Sequence, residues 1–230
     1  GVRALFLYPL NALINSQRDR LSAWTHGFGN KIRFCLYNGL TPETVPAHAR
    51  APAGSEVKDR RTLRAAPPPI LVTNATMLEY MLVRAQDASI LEKSSGKLEW
   101  IVLDEAHTYV GSQAAELALL IRRVVHAFDV KPENLRFVAT SATIGDPDDP
   151  AGERLKEFLA QVAGVDISRV HLVSGARQIP SIPSGKDVCR FSLDELRKID
   201  VGEVETPNRY RALAGHPIAR KLRELFVSRG

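Results

Sequence analysis

LEWIVLDEAHTYVGSQAAELALLIRRVVHAF, residues 98–128, decides the fold. An apolar run of branched residues, Ile101 to Leu103, ends abruptly in two adjacent carboxylates, Asp104 and Glu105. A polar turn then leads into SQAAELALLIRRVVHAF, whose apolar residues recur with helical spacing from Ser112 to Phe128. A strand, a turn and an amphipathic helix make half of a βαβ unit. Like charges at neighbouring positions repel, so Asp104 and Glu105 imply a metal ion, a reacting water or a nearby cation.

The same alternation runs outward on both sides. ALFLY (4–8) is strand-like, and NALINSQRDRLSAW (11–24), with apolar residues at 13, 14, 21 and 24, predicts one helix. KIRFCLYNG (31–39) predicts a strand stopped by Asn-Gly. Residues 41–69, rich in Pro, Ala and Arg, read as a long exposed loop with a short helix near Val57 to Arg64. A strand over Ile70–Thr73 and a helix over 75–85 follow. After the central helix come a strand over Leu135 to Thr143, a helix over Gly152 to Gly164 closed by its glycine, and a last strand over Val170 to Gly175. Strands separated by helices imply a parallel sheet with helices on both faces. Ligands of such sheets sit beyond the carboxyl ends of the strands. Thr73, Asp104 and Ser141 all fall at predicted strand ends, so they are expected to share one rim. From Pro180 the texture becomes irregular, with a short helix near Leu193 to Ile199 and a basic amphipathic helix over 216–230. We read 1–179 as the α/β domain and 180–230 as a linker or mostly helical appendage.

Composition narrows the class. With 230 residues, 44% of them hydrophobic and 25% charged, the chain can build a real core. No apolar run approaches the roughly 20 residues of a membrane span, and no membrane partner is expected. The two cysteines, Cys35 and Cys189, are far apart, which suits neither a zinc site nor a disulfide framework and fits a reducing cytosol. A net charge of +5 favours a polyanionic partner.

An acidic pair after a buried strand suits magnesium nucleotide chemistry. One carboxylate can hold Mg²⁺, usually through waters, and the next can orient and deprotonate a water attacking a terminal phosphate. His107 can hydrogen-bond a second polar loop, for which Ser141 and Thr143 in VATSAT are suitable partners. By itself an Asp-Glu pair also suits a solvated helix start, and a lone histidine also suits an ordinary surface position.

Four segments in order resemble superfamily 2 helicases. YPLNALINSQRDRL (8–21) looks like motif Ia, and LVTNATMLEYMLVR (71–84) resembles motif Ib in the large Lhr-like and YprA-like DNA helicases. LDEAH (103–107) matches motif II, the Walker B box, and TSAT (140–143) matches motif III. YNG and Thr41 resemble the family's tyrosine, glycine and threonine segment, and LALLIRRV (117–124) is typical of the Lhr and YprA-like branch. The resemblance covers about residues 1–178. It implies the first RecA-like, P-loop NTPase-type domain of an ATP-dependent helicase or translocase, with ATP and Mg²⁺ as cofactors and DNA favoured over RNA. On this resemblance Asp104 coordinates Mg²⁺ and Glu105 is the catalytic base. His107, Ser141 and Thr143 couple hydrolysis to domain movement. Pro9, Leu10, Asn11, Gln17, Thr73, Asn74, Met77 and, more weakly, Arg84 line the nucleic-acid strand. Asn74 and Thr73 also suit simple capping of the following helix.

The family's phosphate-cradling loop, G-x-x-x-x-G-K-[ST], occurs nowhere in the 230 residues. The chain therefore reads as a piece of a larger motor, starting just before motif Ia, with an incomplete sheet and a partner in the second RecA-like domain of its parent. Little or no ATPase is expected from it alone. Two alternatives stay open: a non-catalytic module that binds nucleic acid or protein, and the motor subunit of a restriction or phage-defence system.

Overall fold

The computed structural model describes residues 1–29, 31–46, 55–109, 111–141, 150–173 and 217–227. The chain divides into two compact units, Gly1–Ser174 and Gly175–Gly230. In the first unit six strands, β1 (Ala4–Leu7), β2 (Phe34–Leu36), β3 (Glu56–Val57), β4 (Ile70–Thr73), β5 (Trp100–Leu103) and β6 (Arg136–Ala139), form one sheet in the order β3-β2-β4-β1-β5-β6. Every pairing is parallel, so all strands end on one rim. β1 sits between β4 and β5, with Leu7 level with Thr73 on one side and Leu103 on the other.

Strand side chains alternate between the two faces, and each face has its own core. Leu5, Leu7, Leu71, Cys35, Ile101 and Leu103 face one cluster. Over it lie α3 (Arg60–Ala65), α4 (Ala75–Val83), α5 (Ala88–Ser94), α6 (Ser112–Ala127) and α7 (Pro150–Ala163), contributing Leu63, Met77, Met81, Ile90, Leu120, Val124 and Val162. Val72, Phe34 and Leu36 face the other cluster, under Ile14 of α1 (Asn11–Ser16) and Leu21 of α2 (Arg18–His26). Among the described residues this second cover stops short of β5 and β6. Trp100 and Val138 remain 38% exposed there, and the Arg136 guanidinium lies 5.2 Å from the Trp100 ring centroid. Burial by the apolar environment also pushes the Cys35 thiol pKa far up, so this cysteine is an inert core residue.

The structure departs from the sequence reading at particular residues. The single helix expected over 11–24 is two, because Ser16 Oγ donates to the Leu13 carbonyl at 2.8 Å and Gln17 N–H bonds only three residues back, to Ile14 O. The expected loop over 41–69 contains an edge strand, β3, where the short helix was expected to begin. That helix, α3, starts at Arg60, because Asp59 Oδ1 accepts the Thr62 N–H at 2.7 Å as its N-cap. α5 and the 3₁₀ turn before it, Ala85–Asp87, were not anticipated. The strand expected from Val170 is not formed at 170–173, where Val170 and His171 line a groove beside β6 with Leu135 and Phe137. α7 ends as expected, with Gly164 at φ +70° where a side chain is strained. In the second unit, α8 (Pro217–Val227) begins on a proline, which suits a first helical position, and carries Ile218, Leu222 and Leu225 on one stripe. The helix expected near Leu193 to Ile199 lies outside the described residues.

Candidate active site and nucleic-acid rim

The acidic pair is placed by the ladder that continues past β5. Asp104 N–H bonds Leu7 O at 2.9 Å, Thr140 N–H bonds Leu103 O at 2.9 Å, and Ala106 N–H bonds Thr140 O at 2.8 Å. These bonds fasten the end of β5 to its neighbours on both sides. They also bring residues 104–107 against Thr140 and Ser141. Thr140 Oγ1 donates to Asp104 Oδ1. Thr140 was not singled out in the sequence, although it is the first residue of the TSAT turn.

Glu105 turns the chain away from the strand in a left-handed conformation, φ 51° and ψ 46°. A non-glycine residue there stores of order 1–3 kcal/mol of strain. Its Oε2 is buried without a properly aligned hydrogen bond among the described residues, with His107 Nδ1 at 3.2 Å. His107 Nδ1 is also 3.4 Å from Ser141 Oγ. The imidazole thus stands between the β5 turn and the β6 turn, as the sequence reading expected of His107 and Ser141. Thr143 lies outside the described residues.

Two tyrosines flank the carboxylates. Burial raises the hydroxyl pKa of Tyr8, and the Asp104 charge raises it further. Tyr109 is shifted up by the same two causes in the same order, and its hydroxyl is buried without a partner among the described residues. Tyr109 lines a cleft of about 410 Å³ with Pro9, Leu10, Thr76, Gln113 and Glu116.

Asp104 and Glu105 fit a magnesium nucleotide in their chemistry. No group of three or more His, Cys, Asp or Glu side chains among the described residues could hold a metal alone. A single carboxylate suffices for Mg²⁺, which keeps waters and takes phosphate oxygens. The strained Glu105, whose buried Oε2 has no aligned partner among the described residues, fits the same chemistry.

The residues expected to follow the nucleic-acid strand separate into groups. Asn11 and Asn74 meet: Asn74 Nδ2 donates to Asn11 Oδ1 at 2.7 Å, joining the ends of β1 and β4. Asn74 Oδ1 also caps α4 by accepting the Met77 N–H at 2.7 Å. Leu10 is 62% exposed at this place and Pro9 is half-buried. Gln17 lies half-buried at the α1–α2 junction. Thr73 and Met77 have buried side chains, and Thr73 Oγ1 has no partner among the described residues. Arg84 closes the far end of α4, about 13 Å from the rim at 1.5 Å rise per residue. It lies over the Tyr80 ring at 4.5 Å from the centroid. The structure therefore keeps Arg84 apart from Asn11 and Asn74.

The DEAD/DEAH box helicase family model matches residues 1–149. The chain belongs to the DEAD/DEAH box helicase family. Its relatives include Druantia protein DruE of Escherichia coli (strain UMEA 4076-1), 32% identical over 164 residues, covering 67% of this chain and 9% of that protein. The ATP-dependent helicase YprA of Bacillus subtilis (strain 168) is 32% identical over 155 residues, covering 66% of this chain and 18% of that protein. The crystal structure of DUF1998 helicase MrfA bound to DNA superimposes with a TM-score of 0.50 at 30% identity, over 71% of this chain and 20% of that one. The chain thus spans about a tenth to a fifth of the length of these relatives. The parallel sheet and its helices are the RecA-like fold of that family.

Proposed function

We propose that this chain is the Walker B half of the first motor domain of an ATP-dependent DNA helicase or translocase. Residues 180–230 serve as its linker or appendage, and the second RecA-like domain of the parent is its partner. The observation that carries the reading is the junction of the β5 and β6 turns, where Asp104 meets Thr140 and His107 lies between Glu105 and Ser141. Asp104 would hold Mg²⁺ through water, steadied by the Thr140 hydroxyl. Bound Mg²⁺ and ATP would supply a polarised terminal phosphate. Glu105, aimed by its left-handed turn, accepts a proton from the attacking water. The His107–Ser141 contact bridges two turns that each respond to the nucleotide, which suits it to relay hydrolysis to movement. DNA is favoured because MrfA is a helicase crystallised on DNA. The strand would pass Pro9, Leu10, Asn11 and Asn74, with Gln17, Thr73 and Met77 supporting the rim from behind.

The experiment joins residues 1–230 to a G-x-x-x-x-G-K-[ST] loop and to the second RecA-like domain in one protein and measures ATP hydrolysis with and without DNA. DNA-stimulated turnover supports the motor. DNA binding with no turnover supports the non-catalytic module instead.

A further inference from the structure

The cleft beside Tyr109 has a topological cause. β1 lies between β4 and β5 in the sheet, yet α1 and α2, which follow it, pack on the other face. α4 follows β4 and α6 follows β5, so these two helices straddle β1 and pack side by side. The cleft of about 410 Å³ opens between them, beside Pro9 and Leu10 where the chain leaves β1.

Its lining is of three kinds. Leu117 and Leu120 of α6, each 3% exposed, give it an apolar wall. Glu79 of α4 and Glu116 of α6 bring an exposed carboxylate from each helix. None of the described lining residues is basic. The neighbouring Arg123 comes no nearer than 3.8 Å to Glu79, and both side chains are more than half exposed. That pair is therefore worth little and can be replaced. The third element is the Tyr109 hydroxyl, buried with no hydrogen-bond partner among the described residues. A buried hydroxyl without a partner is costly, so it marks a place where an acceptor is due.

Ligand classes sort against this lining. A phosphodiester would bring negative charge to two carboxylates with no cation among the lining residues. A metal ion is short of ligands, since no group of three or more His, Cys, Asp or Glu side chains among the described residues could hold one. An arginine suits every part. Its methylene stem can lie on the leucines while the guanidinium fork meets Glu79 and Glu116. A backbone carbonyl of the same segment can accept the Tyr109 O–H. Val83, one turn after Glu79, is 69% exposed, and Leu119, three residues after Glu116, is 58% exposed. Such spacings share a helix face, so both leave apolar surface for the residues flanking the arginine.

We propose that the α4–α6 cleft docks an arginine-bearing, partly apolar segment of a partner protein. The site takes neither the nucleotide nor the nucleic acid, and it stands independently of the motor reading.

The test uses the 230-residue chain and a short fluorescein-labelled peptide alternating arginine and leucine, read by anisotropy. The double variant Glu79→Gln, Glu116→Gln is expected to weaken binding about ten-fold, the value of two exposed ion pairs. Glu92→Gln with Glu133→Gln makes the same change of net charge at exposed positions outside the cleft and is expected to leave affinity unchanged. Tyr109→Phe is expected to weaken binding about five-fold, the value of one hydrogen bond, at a melting temperature no lower than that of the wild type, because the hydroxyl has no partner to lose. Equal affinity in the wild type and the Glu79, Glu116 double variant would overturn the proposal. So would an equal loss in the Glu92, Glu133 control, which would reduce the effect to net charge, or no binding of the peptide by the wild type. A gain of single-stranded DNA affinity in the Glu79, Glu116 double variant without loss of the peptide would give the cleft to nucleic acid and overturn it as well.

Discussion

In the turn that follows α4, Asp87 is 0% exposed and both its oxygens are taken, one by Tyr37 and one by Arg64. At the β5–β6 end, Glu105 is half-buried, its backbone is left-handed, and its buried Oε2 has no aligned partner among the described residues. Both are carboxylates in turns of one α/β domain. Among the described residues the first is satisfied internally, and the second has only the His107 imidazole at 3.2 Å beside it. A buried polar group completed from within is scaffolding. One left incomplete among the described residues, at a stored cost in backbone strain, suits the catalytic role proposed for Glu105.

The contrast breaks first at Asp87. Asp87→Ala strands the Arg64 guanidinium and the Tyr37 hydroxyl, and should cost about 3–5 kcal/mol in denaturant unfolding of the 230-residue chain. Asp104→Ala, at the open end, should cost about 1 kcal/mol or less. Equal losses at the two positions would remove the distinction. Asn74→Ala comes next. It deletes the α4 cap and the link to Asn11, with an expected loss of about 1 kcal/mol by the same measurement.

A smaller effect sharpens the scaffold side by pH. Burial, and then the bond to Asp87, push the Tyr37 hydroxyl from 10.0 up to about 12. The folded chain therefore keeps a proton that the unfolded chain releases above pH 10. This contribution to stability is complete below pH 10 and is lost as pH rises from 10 to 12. In Tyr37→Phe that part of the alkaline decline should vanish, as read from melting temperature against pH. An identical decline in both proteins would place the titration elsewhere.

The sheet was legible in the sequence wherever strands are short apolar runs followed by periodic helices. Ile70–Thr73 matches its expected bounds, and Ser112–Ala127 falls one residue short. β3 was not legible, because two residues, Glu56 and Val57, carry no alternation and owe their conformation to pairing with Phe34 and Cys35. α5 was missed because its apolar side chains are few, and its place is set by tertiary contacts such as Val2 N–H to Ser94 Oγ at 2.9 Å. At the candidate site, the motif singled out Asp104, Glu105, His107 and Ser141, and the structure brings Glu105, His107 and Ser141 together. The motif did not reveal Thr140, whose role depends on the β5–β6 register, or the left-handed turn at Glu105. Arg84 read as part of a nucleic-acid motif, but helix length carries it about 13 Å from the rim. The Tyr37–Asp87–Arg64 network joins residues 23 to 50 positions apart, a closure that local patterns do not report.

The account stands or falls on what Glu105 does. In a protein that carries residues 1–230 together with its phosphate-binding loop and second RecA-like domain, DNA-stimulated ATP turnover should fall about 10²–10⁴-fold on Glu105→Gln, with DNA binding retained. Turnover of the Glu105→Gln protein equal to the wild type would contradict the account.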